Sequence, residues 1–297
     1  MRILLTNNAM NHLYGTESWV LSVGKELLRR GHSVEVFTLH KGLASGLAER
    51  MGIPVKGPPD DVGEDFDLAL MNHSSTWPYV PTYVKRIFTT HGVKSSLEEP
   101  PKTGIWKAVT VAVSEESARG IYQVIRGGID LCRFRPVRPI NPEPRTVLYL
   151  SHPHYAGGIK LVEEACRISG FRFICLKTET VVPEVLIQEA DVVVGFGRSL
   201  IEAMGCGRVV VSGDNRTHYM DGFHGGGMVT PDNFDVLKRD SFTGRTSGQK
   251  NFTPETLTEE FRRYHPEYGQ LLRERIYGEF NVSVMVDRYL QLAKEMG

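Results

Sequence analysis

The chain has 297 residues, room for two domains of ordinary size, each able to bury its own core. Lysine plus arginine equals aspartate plus glutamate at 35 each, so bulk charge gives no support to a dedicated nucleic-acid binder. No apolar run approaches the roughly 18–20 residues that span a bilayer. The opening "MRILLTNNAM" is too short in its apolar part for a signal peptide and reads as a first buried strand. Cys132, Cys166, Cys175 and Cys206 show no CxxC spacing and sit in apolar surroundings. They read as reduced core thiols of a cytoplasmic protein, not as a zinc site.

In chain order, "RILLT" (2–6) predicts a strand, 17–30 a helix closed by Gly31, and "SVEVFT" (33–38) a second strand. Further strands are expected at 67–71, 86–90, 108–113 and 122–126, with Ser114 capping a short helix that holds Ser117 in its first turn. "RFRPVRPINPEPR" (133–145) places four prolines in thirteen residues and reads as a linker. Alternation then restarts with strands at 146–151, 171–176, 191–196 and 208–213, and helices at 158–169, 183–189 and 198–205. From about Pro254 the pattern is helical. No solenoid-period repeat is present. Such alternation predicts α/β architecture: two doubly wound, parallel-sheet, Rossmann-like domains.

The stretch "DVVVGFGRSLIEAMGCGRVVV" (191–211) carries the chemistry. In an open parallel sheet, ligands bind where strand ends lead into helix N-termini. Gly195 and Gly197 let backbone approach a ligand without a Cβ in the way. The amides of Arg198, Ser199 and Leu200 would then form a phosphate site at the positive end of the helix dipole. Glu202, one turn on, would accept hydrogen bonds from ribose hydroxyls. Composition alone leaves open a second reading, in which the glycines serve packing and Glu202 is a solvated helix residue.

Five segments resemble the GT-B, group-4-like family of retaining, nucleotide-sugar-dependent glycosyltransferases. "GFGRSLIEAMGCGRVVV" resembles its E-G-F-G-x-x-x-x-E-A-M-A-x-G-x-P-V-V signature, and "YGTESWVLSVGKELLRRGHSVEVFT" (14–38) its G-G-x-E and L-x-x-R-G-H-x-V-x-V segments. "VAVSEESARGI" with "VIRGGIDLCRFRP" (124–136) resembles its V-S-x-x and V-I-P-N-G-V-D segments. "ERIYGEFNVSVMVDRYLQL" (274–292) resembles its terminal helix.

The resemblance implies two Rossmann-like domains facing a cleft: 1–135 for the acceptor, 136–275 for the donor, and a terminal helix, 276–297, crossing back to the first. It places Gly15 and Thr16 against the donor diphosphate, although a tight turn with an N-cap threonine explains them equally. It makes His91, in "TTHGV", the histidine near the transferred sugar, although a histidine before glycine is commonly a plain loop residue. Asn72 and His73, also at a strand end, would line the acceptor pocket. The implied reaction moves a sugar from a nucleoside-diphosphate sugar to a hydroxyl acceptor (a glycan, lipid-linked sugar, metabolite or hydroxylated DNA base). No cofactor is expected beyond the donor. No catalytic metal is expected either, because Asp65-Phe66-Asp67 precedes its strand and so faces the wrong sheet edge.

Two departures from the pattern stand out. The first signature glutamate falls on Val194. The basic pair that follows the second domain's first strand is replaced by "SHPHYAGGIK", offering only His152, His154 and Lys160. Arg198 is expected to compensate at the leaving diphosphate. These losses keep open a nucleotide-binding or regulatory module that has lost transfer, or a sugar-nucleotide epimerase of the same fold.

Overall fold

The computed structural model describes residues 1–297 apart from 61, 64, 102–107, 121, 152–155, 177–179, 217–218 and 247. The chain divides into two compact units, Met1–Gly128 with Val282–Gly297, and Ile129–Asn281. The boundaries fall at 128/129 and 281/282, not at the expected 135/136 and 275/276. Residues 129–134, which lead into the proline-rich stretch, are packed, because the Ile129 amide donates to the Phe280 carbonyl at 2.8 Å and Leu131 and Phe134 join the second unit's core.

The first unit runs β1 (Arg2–Met10), α1 (Gly15–Arg29), β2 (Ser33–Lys41), α2 (Leu43–Arg50), β3 (Val55–Lys56), β4 (Leu68–Met71), β5 (Lys85–Thr90), β6 (Ala108–Ala112), α3 (Glu115–Ala118) and β7 (Gln123–Val124). All seven strands pair in parallel, in the order β3-β2-β1-β4-β5-β6-β7. Strand order reverses at β1, whose neighbours are β2 and β4; this is the switch point at which an open α/β sheet gathers ligands. α1 lays Trp19, Val20, Val23 and Leu27 into the core against Ile3, Leu5 and Val36. The C-terminal helix (Val282–Glu295) completes this core with Met285, Val286, Tyr289 and Ala293. It is fastened by Arg30, which donates to Asp287 Oδ1 at 2.5 Å and to Ser283 Oγ at 2.8 Å. α3 begins with a Ser114–Ser117 capping box, the hydroxyl of Ser114 accepting from the Ser117 amide at 3.1 Å.

The second unit runs β8 (Thr146–Leu150), α4 (Ala156–Ser169), β9 (Arg172–Cys175), α5 (Pro183–Ile187), β10 (Val192–Gly195), α6 (Arg198–Gly205), β11 (Val209–Asp214), β12 (His224–Met228), α7 (Phe234–Leu237), β13 (Lys250–Asn251), α8 (Pro254–Arg262) and α9 (Glu267–Glu279). The sheet order is β13-β12-β11-β10-β8-β9, with its switch point between β8 and β10. This sheet is parallel from β11 through β10 and β8 to β9, and it gains an antiparallel edge, β12 on β11 and β13 on β12. β12 reads "HGGGM", without the β-branched residues that announce a strand, and its glycines make room for close backbone neighbours. A Cβ on Gly225 would lie 2.1 Å from the Ser212 carbonyl oxygen.

All four cysteines are unpaired. Cys166 and Cys206 are buried, whereas Cys132 is exposed and Cys175 half-buried, so only two behave as core thiols. No helix among the described residues is long and apolar enough to cross a membrane.

Candidate functional site

In the first unit, the expected residues converge at the carboxyl ends of β1, β4 and β5. His91 follows β5 and Asn72 follows β4; Nε2 of His91 lies 2.9 Å from Asn72 Oδ1. The Asn72 amide donates to Asn7 Oδ1 at 3.3 Å, and Asn7 in turn donates to the Ala9 carbonyl at 2.6 Å and to Thr16 Oγ1 at 3.4 Å. Thr16 passes its own proton to Glu17 Oε2 at 3.1 Å. Five side chains from three strand ends and the start of α1 thus form one chain. Trp19 walls it, standing edge-on both to His91 (5.8 Å between ring centroids) and to Tyr289 (5.7 Å).

Several expectations change here. Tyr14, not Thr16, occupies the N-cap of α1, and the Thr16 hydroxyl is spent on Glu17. Asn72 is fully buried with both ends of its amide engaged, so it braces His91 and does not line an open acceptor pocket. His73 is also buried. Its Nδ1 accepts from the Asn8 amide at 3.0 Å, and burial lowers its pKa to about 4. A backbone donor needs an acceptor, so this ring is neutral. Gly15 opens α1 with open space around it. Glu17 is 5% exposed and burial raises its pKa, which places an acid with a perturbed equilibrium at the end of the chain. Glu17 lies in the 14–38 segment with no role that its sequence context assigns, and Asn7 and Asn8 carry only the weak signal of paired asparagines at the end of a first strand.

In the second unit, β10 ends at Gly195, where a Cβ would lie 2.8 Å from the Leu150 carbonyl oxygen. Gly197 has φ +58°, a conformation other residues rarely adopt, and its amide donates to the Ser241 carbonyl at 2.9 Å. That twist tightens the first turn of α6, so the Leu200 amide is bonded at 3.2 Å to the Gly197 carbonyl. Leu200, expected to offer a free amide, is therefore a buried core residue with its donor taken. Ser199 keeps an amide with no bond among the described residues. Arg198 Nε donates to Glu202 Oε1 at 2.8 Å, an i,i+4 ion pair with side chains only 18% and 11% exposed. Burial raises the Glu202 pKa, and the Arg198 charge opposes the rise. Arg198 and Glu202 thus act as a unit; they are not independent phosphate and ribose ligands. Oε2 of Glu202 makes no hydrogen bond among the described residues. Lys160 is exposed on α4, and His152 and His154 lie outside the described residues.

A second group at this edge was not read from the sequence. Asp214, fully buried at the end of β11, accepts from Arg216 Nε at 2.9 Å and Nη2 at 2.7 Å, and from Arg245 Nη1 at 3.4 Å. The Arg216 guanidinium lies 3.9 Å over the Phe196 ring and 4.6 Å over Tyr219, which Arg245 also covers at 4.1 Å. Phe196 sits between the two signature glycines, so both arginines belong to the same locality as the α6 entry. Arg245 is carried by a loop in which Ser241 (φ +57°) and Phe242 (φ +59°) are consecutive left-handed residues, a conformation that costs on the order of 1–3 kcal/mol each. The strain aims two carbonyls at the sheet edge: Ser241 receives the Gly197 amide, and Phe242 receives Ser212 Oγ at 2.7 Å. Buried Asp240 holds the loop by accepting from the amides of Thr243, Gly244 and Thr246 at 3.0–3.2 Å.

A cavity of about 400 Å³ lies at the opposite, amino-terminal edge of this sheet, around Asp191 and Arg208. Its polar groups serve the backbone: Asp191 accepts the amides of Arg145 and Thr146, and Arg208 donates to the carbonyls of Arg138 and Ala190. It is structural. Among the described residues, no group of three or more His, Cys, Asp or Glu is arranged to hold a metal. In Asp65-Phe66-Asp67, Asp67 accepts from the Arg2 amide at 2.7 Å, and Asp65 lies 3.7 Å from Arg2 Nη1.

The fold aligns along nearly its whole length with a glycosyltransferase from Rickettsia africae ESF-5, covering 99% of this chain and 98% of that one at TM-score 0.62 and 13% identity. A structure of Anabaena Alr3699/HepE in complex with UDP and glucose aligns over 99% of both chains at TM-score 0.63 and 14% identity. The chain has the GT-B fold of these glycosyltransferases. That fold also accommodates a putative UDP-N-acetylglucosamine 2-epimerase from Listeria monocytogenes, at TM-score 0.59, 10% identity and 99% and 96% coverage. No protein-family model and no curated protein matches the sequence.

Proposed function

We propose that the chain is a glycosyltransferase that moves a sugar from a nucleoside-diphosphate sugar to a hydroxyl acceptor, with retention of anomeric configuration and without a metal ion. The observation that carries this reading is the entry to α6. A left-handed Gly197, the Ser199 amide and the buried Arg198–Glu202 pair stand together at the switch-point edge of a GT-B unit. The relatives in fold that bind UDP and glucose support the substrate class. In this reading the Ser199 amide and helix dipole serve the diphosphate, Glu202 Oε2 accepts a ribose hydroxyl, and Gly15 and Thr16 keep the diphosphate role that the family resemblance implies. Charge developing on the leaving diphosphate meets fixed guanidinium groups, Arg198 and the newly found Arg216. His91 serves the transferred sugar. Two free buried thiols support a reducing, cytoplasmic setting.

Calorimetry of UDP, GDP and ADP in EDTA tests the binding half, followed by nucleotide release from the matching sugar donors. Binding in EDTA to one nucleotide, with turnover of its sugar, is the expected outcome. Binding that appears only with magnesium or manganese defeats the metal-free reading, and binding with no turnover of any donor identifies a nucleotide-binding module. The epimerase reading rests on the shared fold of the Listeria protein. It predicts conversion of a UDP-sugar to its epimer without an acceptor.

A further inference from the structure

The polar chain in the first unit has a definite direction, which puts a proton on Nε2 of His91. A backbone carbonyl only accepts, so the Asn7 atom 2.6 Å from the Ala9 carbonyl oxygen is its NH2 group. Asn7 Oδ1 is then the atom facing Asn72, and two amide oxygens do not share a hydrogen bond. Asn72 must turn its NH2 toward Asn7, at 3.3 Å, and its oxygen toward His91. That oxygen, 2.9 Å from Nε2, accepts. The same logic holds beyond Asn7: Thr16 Oγ1 accepts a hydrogen bond from Asn7 and donates its own to Glu17 Oε2. Every link agrees, and both asparagines are fully buried, so water does not compete for these groups.

We propose that Asn72, itself oriented by Asn7, is a positioning residue that keeps Nε2 of His91 protonated, so that neutral His91 is the Nε2–H tautomer with Nδ1 as its acceptor nitrogen. The tautomer assignment stands on the hydrogen bonds alone; its use in sugar transfer rests on the function proposed above.

The test is the ¹⁵N spectrum of histidine-labelled full-length protein, with His91 among the ten histidines assigned by its loss in His91→Gln. The expected result is a protonated-type Nε2 and an unprotonated-type Nδ1. An Nδ1–H tautomer, or shifts averaged over both forms, overturns the proposal. Asn72→Leu should release the ring to averaged shifts, and an unchanged pure tautomer in that folded variant also overturns it. Asn72→Asp keeps an acceptor opposite Nε2, so Nε2 should stay protonated even where the added charge also protonates Nδ1; an unprotonated Nε2 in that variant counts against the proposal. Donor turnover is read in parallel. Asn72→Leu should lower kcat at least tenfold with KM changed less than threefold, and Asn72→Asp should recover part of it. The expected tautomer with no turnover in any variant upholds the assignment and defeats the transferase reading.

Discussion

The two units answer the same architectural question with opposite chemistry. Each places its polar residues at the carboxyl edge of a sheet, beside the strand where the order reverses. In the first unit these groups are two asparagines, a threonine and a histidine, ending on one glutamate, joined by hydrogen bonds of fixed sense. In the second they are arginines stacked on Phe196 and Tyr219 and paired with Asp214 and Glu202. A neutral chain controls direction and protonation while adding little field. A charged, stacked cluster controls field, because its guanidinium groups cannot lose their protons. The first arrangement suits a reacting group that must be presented in one form, and the second suits a polyanion.

The largest effect that separates the two is expected at His91. His91→Ala should lower donor turnover by about 10²–10⁴-fold, the usual contribution of a positioned acid–base group, while leaving nucleoside-diphosphate affinity nearly unchanged. Release kinetics plus one titration check this, and equal losses in both would erase the division of labour. Arg216→Ala should act on stability in the second unit. It leaves the fully buried Asp214 carboxylate short of its main partner, which costs about 3–5 kcal/mol in denaturant unfolding. A loss below about 1 kcal/mol would mean that Arg245 alone satisfies Asp214.

His73 sharpens the contrast through pH. Its folded pKa of about 4 lies below the unfolded value, so its contribution is whole above about pH 6.5 and is lost as pH falls toward 4. Unfolding free energy should therefore drop by about 2–3 kcal/mol over that window on account of this one ring, and His73→Leu should remove that part of the slope. The smallest effect is expected at Glu202. Glu202→Ala should weaken nucleoside-diphosphate binding by about 1–3 kcal/mol, measured calorimetrically in EDTA. No change would make the Arg198–Glu202 pair a packing device only.

How much of this was legible depends on how local its cause is. The run Val192–Gly195 into α6 is announced by three valines and two glycines, and both the strand end and the helix start fall where the sequence places them. The fate of the Leu200 amide was not legible, because it follows from the twist at Gly197, which is held by a carbonyl more than forty residues away. Asn72 and His73 were found as strand-end residues, but pattern says nothing of partners, and theirs lie on β1. α2 escaped notice because "LASGLAER" carries serine and glycine in its first turns, and its N-terminal end has only Ser45 Oγ accepting from the Gly42 amide, a weak signal. Arg216 and Arg245 were missed for a deeper reason. They are brought together by an antiparallel, glycine-built strand and by a loop with two left-handed residues, neither of which has a period to detect.

The C-terminal helix carries a consequence for biosynthesis. Met285, Val286, Tyr289 and Ala293 belong to a core whose other members lie before residue 129. During translation the second unit, Ile129–Asn281, is available whole before the first one can close. The unit that begins the chain is thus the last to finish. Until Val282–Gly297 has been made, Trp19 lacks the Tyr289 ring that packs edge-on against it, and Thr89 lacks its buried hydroxyl partner. A chain released after residue 281 should expose the first unit's unfinished apolar face to chaperones and proteases while the second unit is already protected, the reverse of the order in which a ribosome usually delivers finished domains.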